Sequence, residues 1–176
     1  MLDLKQDYFA LFGLTPAFAL EGERLESAYR EIQARVHPDR HAHLSDAEKR
    51  LAMQWATHAN EAFRTLRSPL LRGAYLLSLQ GVDPQFETNT AMAPEFLMEQ
   101  MEWREALADA RAEGDEDALE DLARDLRQDA RTLVAQLGEE LDGRQDLAAA
   151  ADTLRRLKFL DKLQNEINDA LTALES

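Results

Sequence analysis

Apolar residues recur along this chain at the spacing of an α-helix, and this pattern limits the folds that the sequence can adopt. Leu25, Tyr29, Ile32 and Val36 show it clearly, because they follow one another at i, i+4, i+7 and i+11. This spacing places the four side chains on one face of a helix, whereas a strand needs alternation at every second residue. The sequence also has only 7 Gly and 5 Pro among 176 residues, so long helices can form with few interruptions. We therefore predict an all-α protein.

Four helices are predicted in the first 80 residues. Pro38 ends the second helix, because proline disfavours helical geometry at the residue before it. Ser45 and Glu48 have the spacing of a capping box and begin the third helix. Ser68 followed by Pro69 is typical of a helix start and begins the fourth. The first, second and fourth helices span about 6–13, 21–36 and 69–79, and the third carries Leu51, Trp55, Ala59, Ala62, Phe63 and Leu66 on its apolar side.

Three longer helices are predicted in the second half of the chain. They span about residues 94–112, 115–137 and 144–174, and Gly114 and Gly138 mark the breaks between them. Short connections favour antiparallel neighbours, so we predict a three-helix bundle. The last helix is expected to face the core with Leu157, Leu160, Leu163, Ile167, Leu171 and Leu174.

The charge of the chain changes at a polar segment that contains Gly and Pro. Residues 1–80 contain 10 Lys or Arg and 10 Asp or Glu, whereas residues 81–176 contain 10 and 24. We therefore predict two domains, residues 1–80 and 94–176, joined by a connector at 81–93. The net charge of −14 disfavours nucleic-acid binding, which needs clustered Lys and Arg.

The composition also excludes several kinds of chemistry. The sequence contains no cysteine, so it can form neither a disulfide nor a thiolate metal site. No apolar run approaches the roughly 18 residues of a membrane span, and the first 20 residues lack the features of an export signal. We expect a soluble, unexported protein that binds neither nucleic acid nor membrane.

The sharpest local feature is His37-Pro38-Asp39, at the end of the second predicted helix. Pro38 fixes one backbone angle and removes a donor, so the three residues are expected to form a stiff turn that presents two polar side chains. Taken alone, the tripeptide is better explained as an ordinary helix stop.

Two further motifs accompany the turn in the first half of the chain. The sequence DYFALFGL occupies residues 7–14, and NEAFRTL occupies residues 60–66 on the next long helix. Together with His37-Pro38-Asp39, they resemble the J-domain of DnaJ-type co-chaperones, which engages chaperones of the heat-shock protein 70 family. The resemblance implies a four-helix J-domain whose turn stimulates ATP hydrolysis by the chaperone. It assigns chaperone binding to His37, Pro38 and Asp39, with Arg30, Arg35 and Arg40 as supporting contacts.

The rest of the chain resembles one J-domain family, the HscB-type co-chaperones of iron–sulfur cluster biogenesis. The similar segments read SPLLRGAYLL at 68–77, FLMEQ at 96–100, AAADTL at 149–154 and LKFLDKL at 157–163. The resemblance implies a C-terminal three-helix bundle that binds the scaffold protein IscU and delivers it to the chaperone HscA. It further implies a non-enzymatic activator without a cofactor, in the bacterial cytoplasm. A general DnaK-type chaperone remains open as the partner.

The helix predicted at 94–112 carries large apolar residues on two of its faces. Phe96, Trp103 and Leu107 fall within roughly 20° of one direction, the core face. Leu97, Met98 and Met101 lie roughly 100–200° away from this direction, among acidic residues. Burial of each would contribute about 1.5–3 kcal/mol, so their exposure needs an explanation. Phe159 likewise lies off the centre of its own apolar stripe. Because methionines and aromatics suit binding surfaces, we predict a partner surface, to which the resemblance assigns scaffold binding. It contains Leu97, Met98, Met101 and Phe159, with Glu102 and Glu105 around them.

Several alternatives remain open from the sequence. A wide core stripe or scattered surface exposure would explain Leu97, though it fits Met98 and Met101 poorly. A J-domain protein could serve a different client, and a purely structural helical protein could use the acidic bundle as a solvated face. A metal hydrolase could use His37, Asp39, His41 and His43, which cluster on one turn and loop without a second segment to support them.

Overall fold

The computed structural model describes residues 3–40, 43–87 and 92–176, and in these ranges the chain forms helices and no strand. This confirms the all-α fold, and all seven predicted helices are present. None of the helices in these ranges combines the length and the apolar character that crossing a lipid bilayer requires. The helices are α1 (Tyr8–Leu11), α2 (Gly22–Val36), α3 (Asp46–Arg67), α4 (Pro69–Leu79), α5 (Pro94–Glu113), α6 (Glu116–Gly138) and α7 (Leu147–Glu175).

The chain divides into two compact units, Met1–Gln80 and Gly81–Ser176. In the first unit, α1 to α4 surround a core in which Phe9, Leu25 and Leu66 are almost completely buried. α4 is tied to the start of α1, because the Tyr8 backbone N–H donates to the Tyr75 hydroxyl at 2.9 Å and the two rings stack.

Local signals begin α3 and α4 at the predicted residues, whereas α1 is shorter than the predicted 6–13. The Ser45 hydroxyl oxygen accepts from the Glu48 backbone N–H, and the Ser45 backbone N–H donates in return to the Glu48 carboxylate, which completes the capping box at the start of α3. The Ser68 hydroxyl accepts from the Leu71 N–H and Pro69 opens α4. These bonds satisfy backbone donors that a helix start leaves unpaired.

The second unit is a three-helix bundle of α5, α6 and α7. Its core contains Leu119 and Leu126 from α6 and Leu163 and Ile167 from α7, all buried. Gly114 ends α5 in the left-handed conformation, with φ 64°, which a residue with a side chain adopts only at a cost. The break predicted at Gly114 is therefore confirmed.

α6 ends at Gly138, as predicted, but the chain does not turn away at this residue. Gly138 keeps helical angles, with φ −60° and ψ −43°, and the chain continues as a π-helical segment, Glu139–Gly143, before α7 begins. Glu140 in this segment is fully buried, and it accepts a hydrogen bond of 2.6 Å from the Thr153 hydroxyl of α7. The backbone of this connection adopts a positive φ at Gln145, shortly before α7 begins at Leu147.

Two residues assigned to apolar stripes are exposed instead, Leu51 and Leu174. Leu51 lies at the edge of the α3 stripe, about 60° from Leu66 on the helical wheel. Leu174 lies in the last turn of α7. This helix has 29 residues, whereas α5 has 20 and α6 has 23. A stripe that is longer or wider than the neighbouring helices remains partly uncovered.

Candidate functional site

The turn that follows α2 is closed by two hydrogen bonds of its own. α2 ends at Val36, His37 is extended, and Pro38–Arg40 form one turn of 3-10 helix. The Arg40 N–H donates to the His37 carbonyl at 3.0 Å, and the Asp39 N–H donates to Nδ1 of the His37 ring at 3.2 Å. The imidazole is therefore fixed relative to the backbone of the turn.

The two polar side chains of the turn face solvent. The side chains of His37 and Asp39 are 58% and 92% exposed, and His37 Nδ1 lies 3.6 Å from Asp39 Oδ2. Together with Gln33, Ala34 and Arg40 they line a shallow open depression at the end of α2. The structure thus brings the predicted residues together as a rigid, accessible pair of hydrogen-bonding groups.

Two of the three arginines of α2, Arg30 and Arg35, form ion pairs within their own helix. The guanidinium of Arg30 lies 3.6 Å from the Glu26 carboxylate, and that of Arg35 lies 2.9 Å from Glu31. Both pairs have i,i+4 spacing and are exposed, so each contributes little to stability. The cationic surface of α2 is partly neutralised by these carboxylates, which reduces its attraction for an acidic partner.

The motif residues around the turn mostly build its framework. Asp7 caps α1 by accepting from the Ala10 N–H, and Tyr29 of α2 stacks on Phe63 of α3 with ring centroids 4.1 Å apart. The Tyr29 hydroxyl also donates to Asn60 Oδ1. These contacts fix α2 against α3 and thereby fix the end of α2, where the turn begins.

The predicted partner surface on α5 is exposed. Met98 and Met101 are 64% and 73% exposed, Leu97 is also exposed, and so are Glu102 and Glu105. Side chains of this size on the outer face of a packed helix leave apolar area in water, which favours burial against another protein. Their exposure agrees with the helical spacing, whereas the identity of the partner remains a prediction.

Phe159 of α7 lies differently from the other residues of the predicted surface. It is only partly exposed and packs against the inner side of α5, edge-to-face on Phe96 at 5.9 Å and nearly parallel to Trp103 at 6.3 Å. The guanidinium carbon of Arg104 lies 5.5 Å from the centroid of the Phe159 ring. The i,i+7 spacing of Phe96 and Trp103 could have indicated the aromatic cluster from sequence, but nothing in the sequence indicates Arg104.

The residues of the metal-site alternative do not form a ligand cluster where the structure describes them. In residues 3–40, 43–87 and 92–176, no group of three or more His, Asp or Glu side chains is arranged to hold a metal ion. His43 is exposed, and His41 lies outside the described residues. His58 makes edge-on contacts with Tyr8 and Trp55, which is a packing role.

Comparison with known proteins identifies the family. A family model described as the HSCB C-terminal oligomerisation domain matches residues 92–168. The chain is 58% identical to a co-chaperone protein HscB homolog of Azoarcus sp. (strain BH72), over 99% of both chains. The structure of the chaperone HscB from Vibrio cholerae is 41% identical, with a TM-score of 0.82 over 96% of this chain and 99% of that one. The crystal structure of human co-chaperone protein HscB is 29% identical, with a TM-score of 0.86 over 94% of this chain and 82% of that one. The chain belongs to the HscB family of co-chaperones.

Proposed function

We propose that this protein stimulates ATP hydrolysis by an HscA-type chaperone and delivers an IscU-type scaffold protein to it, which assists the maturation and transfer of iron–sulfur clusters. The observation that carries the proposal is the His37-Pro38-Asp39 turn at the end of α2, whose His37 and Asp39 side chains are exposed, in a member of the HscB family. The chaperone supplies the hydrolysis, so this protein acts as an activator in the bacterial cytoplasm and has no reaction of its own.

The chaperone contact is proposed at His37, Pro38 and Asp39. The turn offers an imidazole and a carboxylate that are fixed by local hydrogen bonds and open to solvent, so little ordering is required when a partner binds. Arg30 and Arg35, on the helix that ends at the turn, are proposed as secondary contacts that would have to exchange their intrahelical glutamate partners for the chaperone. Arg40, at the end of the same turn, is exposed as well.

The scaffold contact is proposed at Leu97, Met98 and Met101 on α5 and at the exposed part of Phe159. An apolar centre supplies affinity by burial, and the flanking Glu102 and Glu105 favour a partner surface that carries Lys or Arg. The iron–sulfur cluster itself stays with the scaffold as cargo, because this chain has no cysteine to bind it.

The two proposed contacts lie on two proposed domains. The chaperone contact lies on a J-domain at 1–80 and the scaffold contact on a bundle at 94–176, and residues 81–93 join the two domains. A client held by one domain and a chaperone engaged by the other are tethered by the same chain. Tethering raises the effective concentration of client at the chaperone without adding any contact. Delivery and hydrolysis are thereby coupled in time.

Single-turnover ATP hydrolysis by a purified HscA-type chaperone tests the proposal. We expect the wild-type protein to accelerate hydrolysis, the scaffold to increase the acceleration, and His37→Gln to abolish it. His43→Gln is the matched control, because it changes another exposed histidine in the same region and should behave as wild type. Equal rates with the wild type and His37→Gln would reject the chaperone role. Acceleration that is unaffected by scaffold would indicate a different client.

A further inference from the structure

An ion pair between α5 and α7 lies beside the aromatic cluster of the bundle. Arg104 Nη1 donates to Glu166 Oε2 at 2.9 Å, and the two residues are 62 positions apart in the sequence. Both side chains are partly exposed, so the pair adds little to stability by itself. Its geometry has another consequence, because the same guanidinium lies over the Phe159 ring.

Phe159 is thus surrounded on several sides by side chains of α5. Phe96 meets its ring at an interplanar angle of 82°, Trp103 lies at 21° to it, and Arg104 lies over the ring at 5.5 Å. The two aromatic neighbours are held by packing, since Phe96 is buried and Trp103 packs against the bundle core. Arg104 has a long, flexible side chain, and the bond to Glu166 fixes where its guanidinium lies.

We propose that Glu166 is a positioning residue for the scaffold-binding surface. It holds the Arg104 guanidinium over Phe159 and so keeps the Phe159 ring in a single orientation before the partner arrives. This inference rests on the proposed scaffold site at Leu97, Met98, Met101 and Phe159. Glu166 itself lies on α7 and acts through Arg104, without a contact to the partner.

Ordering a side chain at the moment of binding reduces affinity, and a side chain that is already ordered avoids this cost. Without Glu166, Arg104 can leave the Phe159 ring, and both side chains must be ordered by the partner. We expect Glu166→Gln to bind the scaffold about threefold to tenfold more weakly, because the cost of ordering one or two side chains on binding has about this size.

Titration calorimetry with a purified IscU-type scaffold protein provides the affinity measurement. Asp121→Asn is the matched control, because it removes one negative charge and one exposed ion pair, with Arg124, on a different helix. A change in overall attraction between the charged partners would affect both variants equally, whereas loss of positioning affects only Glu166→Gln. Arg104→Lys keeps the charge but loses the planar group, and should also bind more weakly.

A double variant that exchanges the two charges tests whether scaffold affinity depends on the position of the guanidinium or only on the presence of an ion pair. Arg104→Glu combined with Glu166→Arg restores an ion pair between α5 and α7 but moves the guanidinium to the other helix. We expect the swap to keep the free energy of unfolding close to that of the wild type without restoring affinity. Recovery of wild-type affinity by the swap would overturn the inference.

The indole resonances of the protein provide a second readout. Trp103 lies beside Phe159, and Trp55, in the first unit, serves as an internal control in the same spectrum. In ¹H–¹⁵N spectra of the free protein, Glu166→Gln should shift the Trp103 indole peak and leave Trp55 unchanged, while Asp121→Asn should shift neither. An unchanged Trp103 peak in Glu166→Gln would contradict the positioning role.

Phe159→Ala distinguishes failure of this inference from failure of the proposed function. If Phe159→Ala weakens binding and Glu166→Gln binds as wild type, the positioning role is wrong and the scaffold site stands. If Phe159→Ala also binds as wild type, the assignment of Phe159 to the scaffold site is wrong, and the role of Glu166 is rejected with it.

Discussion

The two proposed binding surfaces are built in different ways. The turn at His37 consists of three consecutive residues, and its closing hydrogen bonds join residues at most three positions apart. The surface on the bundle combines α5 with Phe159, which lies about 60 residues further along the chain and reaches α5 only through helix packing. The first surface depends on local chemistry, and the second depends on tertiary structure.

This difference predicts how each surface responds to substitution. A change inside the turn should affect chaperone stimulation and leave scaffold binding intact. A change in the bundle can affect scaffold binding from a distance, because it can alter the packing that brings α7 to α5. Variants in each unit, measured in both assays, can therefore support or contradict the contrast.

The largest effect is expected for the triple variant Leu97→Ala, Met98→Ala and Met101→Ala. Each side chain would lose apolar area buried against the partner, worth about 1.5–3 kcal/mol if burial is complete. We expect at least about a hundredfold loss of scaffold affinity, since each 1.4 kcal/mol is about tenfold. Titration calorimetry gives the affinity, and far-ultraviolet circular dichroism should show unchanged helix content because the three residues are exposed. Wild-type scaffold affinity in this variant would show that Leu97, Met98 and Met101 do not form the scaffold-binding surface.

The next largest effect is expected for Asp39→Asn, in the chaperone assay alone. The backbone N–H of residue 39 still donates to His37, so the turn is preserved while one carboxylate is lost. Hydrogen bonds to charged groups contribute about 1.5–3 kcal/mol, so we expect about a tenfold to hundredfold higher concentration for half-maximal stimulation. Asp46→Asn, another exposed carboxylate of the same unit, is the control. Weaker scaffold binding by Asp39→Asn would show that the two surfaces are not separate.

A smaller effect is expected for Thr153→Val, which contacts neither proposed surface. It removes the donor to the fully buried Glu140 carboxylate, and an unsatisfied buried polar group costs about 1–3 kcal/mol. We expect urea to unfold the bundle at a lower concentration, and scaffold binding to be lost at that lower concentration too. Thr132→Val, on the exposed face of α6, should leave the transition nearly unchanged. Loss of chaperone stimulation in dilute buffer would contradict the local character of the turn.

The smallest effect concerns alkaline pH and the first unit. Burial raises the pKa of Tyr75 above its ordinary value of 10.0, and the N–H of Tyr8 that donates to its oxygen opposes the rise only in part. Above about pH 10 the unfolded chain releases this proton more readily than the folded chain, so the free energy of unfolding falls as pH rises. Urea unfolding at several pH values should show a shallower alkaline decline for Tyr75→Phe. An equally steep decline would assign the alkaline effect to other groups.

Most of the fold could be predicted because its helix ends are set by neighbouring residues. The Ser45–Glu48 capping box and the left-handed Gly114 are examples, since each depends on a few consecutive positions. Gly138 ends α6 as predicted, but the π-helical segment after it could not be predicted, because it is held by the buried contact of Glu140 with Thr153. That contact joins two helices and leaves no periodic signal.

The candidate sites likewise contain features that the sequence predicts and features that depend on tertiary packing. The turn at His37 and the exposed face of α5 follow from motif and helical spacing, and the structure places both in solvent. The partial burial of Phe159 and the position of Arg104 over its ring could not be predicted, because they depend on how α7 lies against α5. Spacing along one helix gives the direction of a side chain but not what covers it.

The hydrogen bond from the Asp39 N–H to His37 Nδ1 determines which tautomer a neutral imidazole adopts. An accepting Nδ1 carries no proton, so the proton resides on Nε2, and the ring offers an N–H donor to a partner. Asparagine places its carbonyl oxygen close to the position of Nδ1, whereas glutamine places its amide nitrogen close to that of Nε2. His37→Asn therefore retains the acceptor that closes the turn, and His37→Gln retains the outward donor. Comparing chaperone stimulation by the two variants shows whether it depends on the acceptor that shapes the turn or on the N–H donor that the turn presents to a partner.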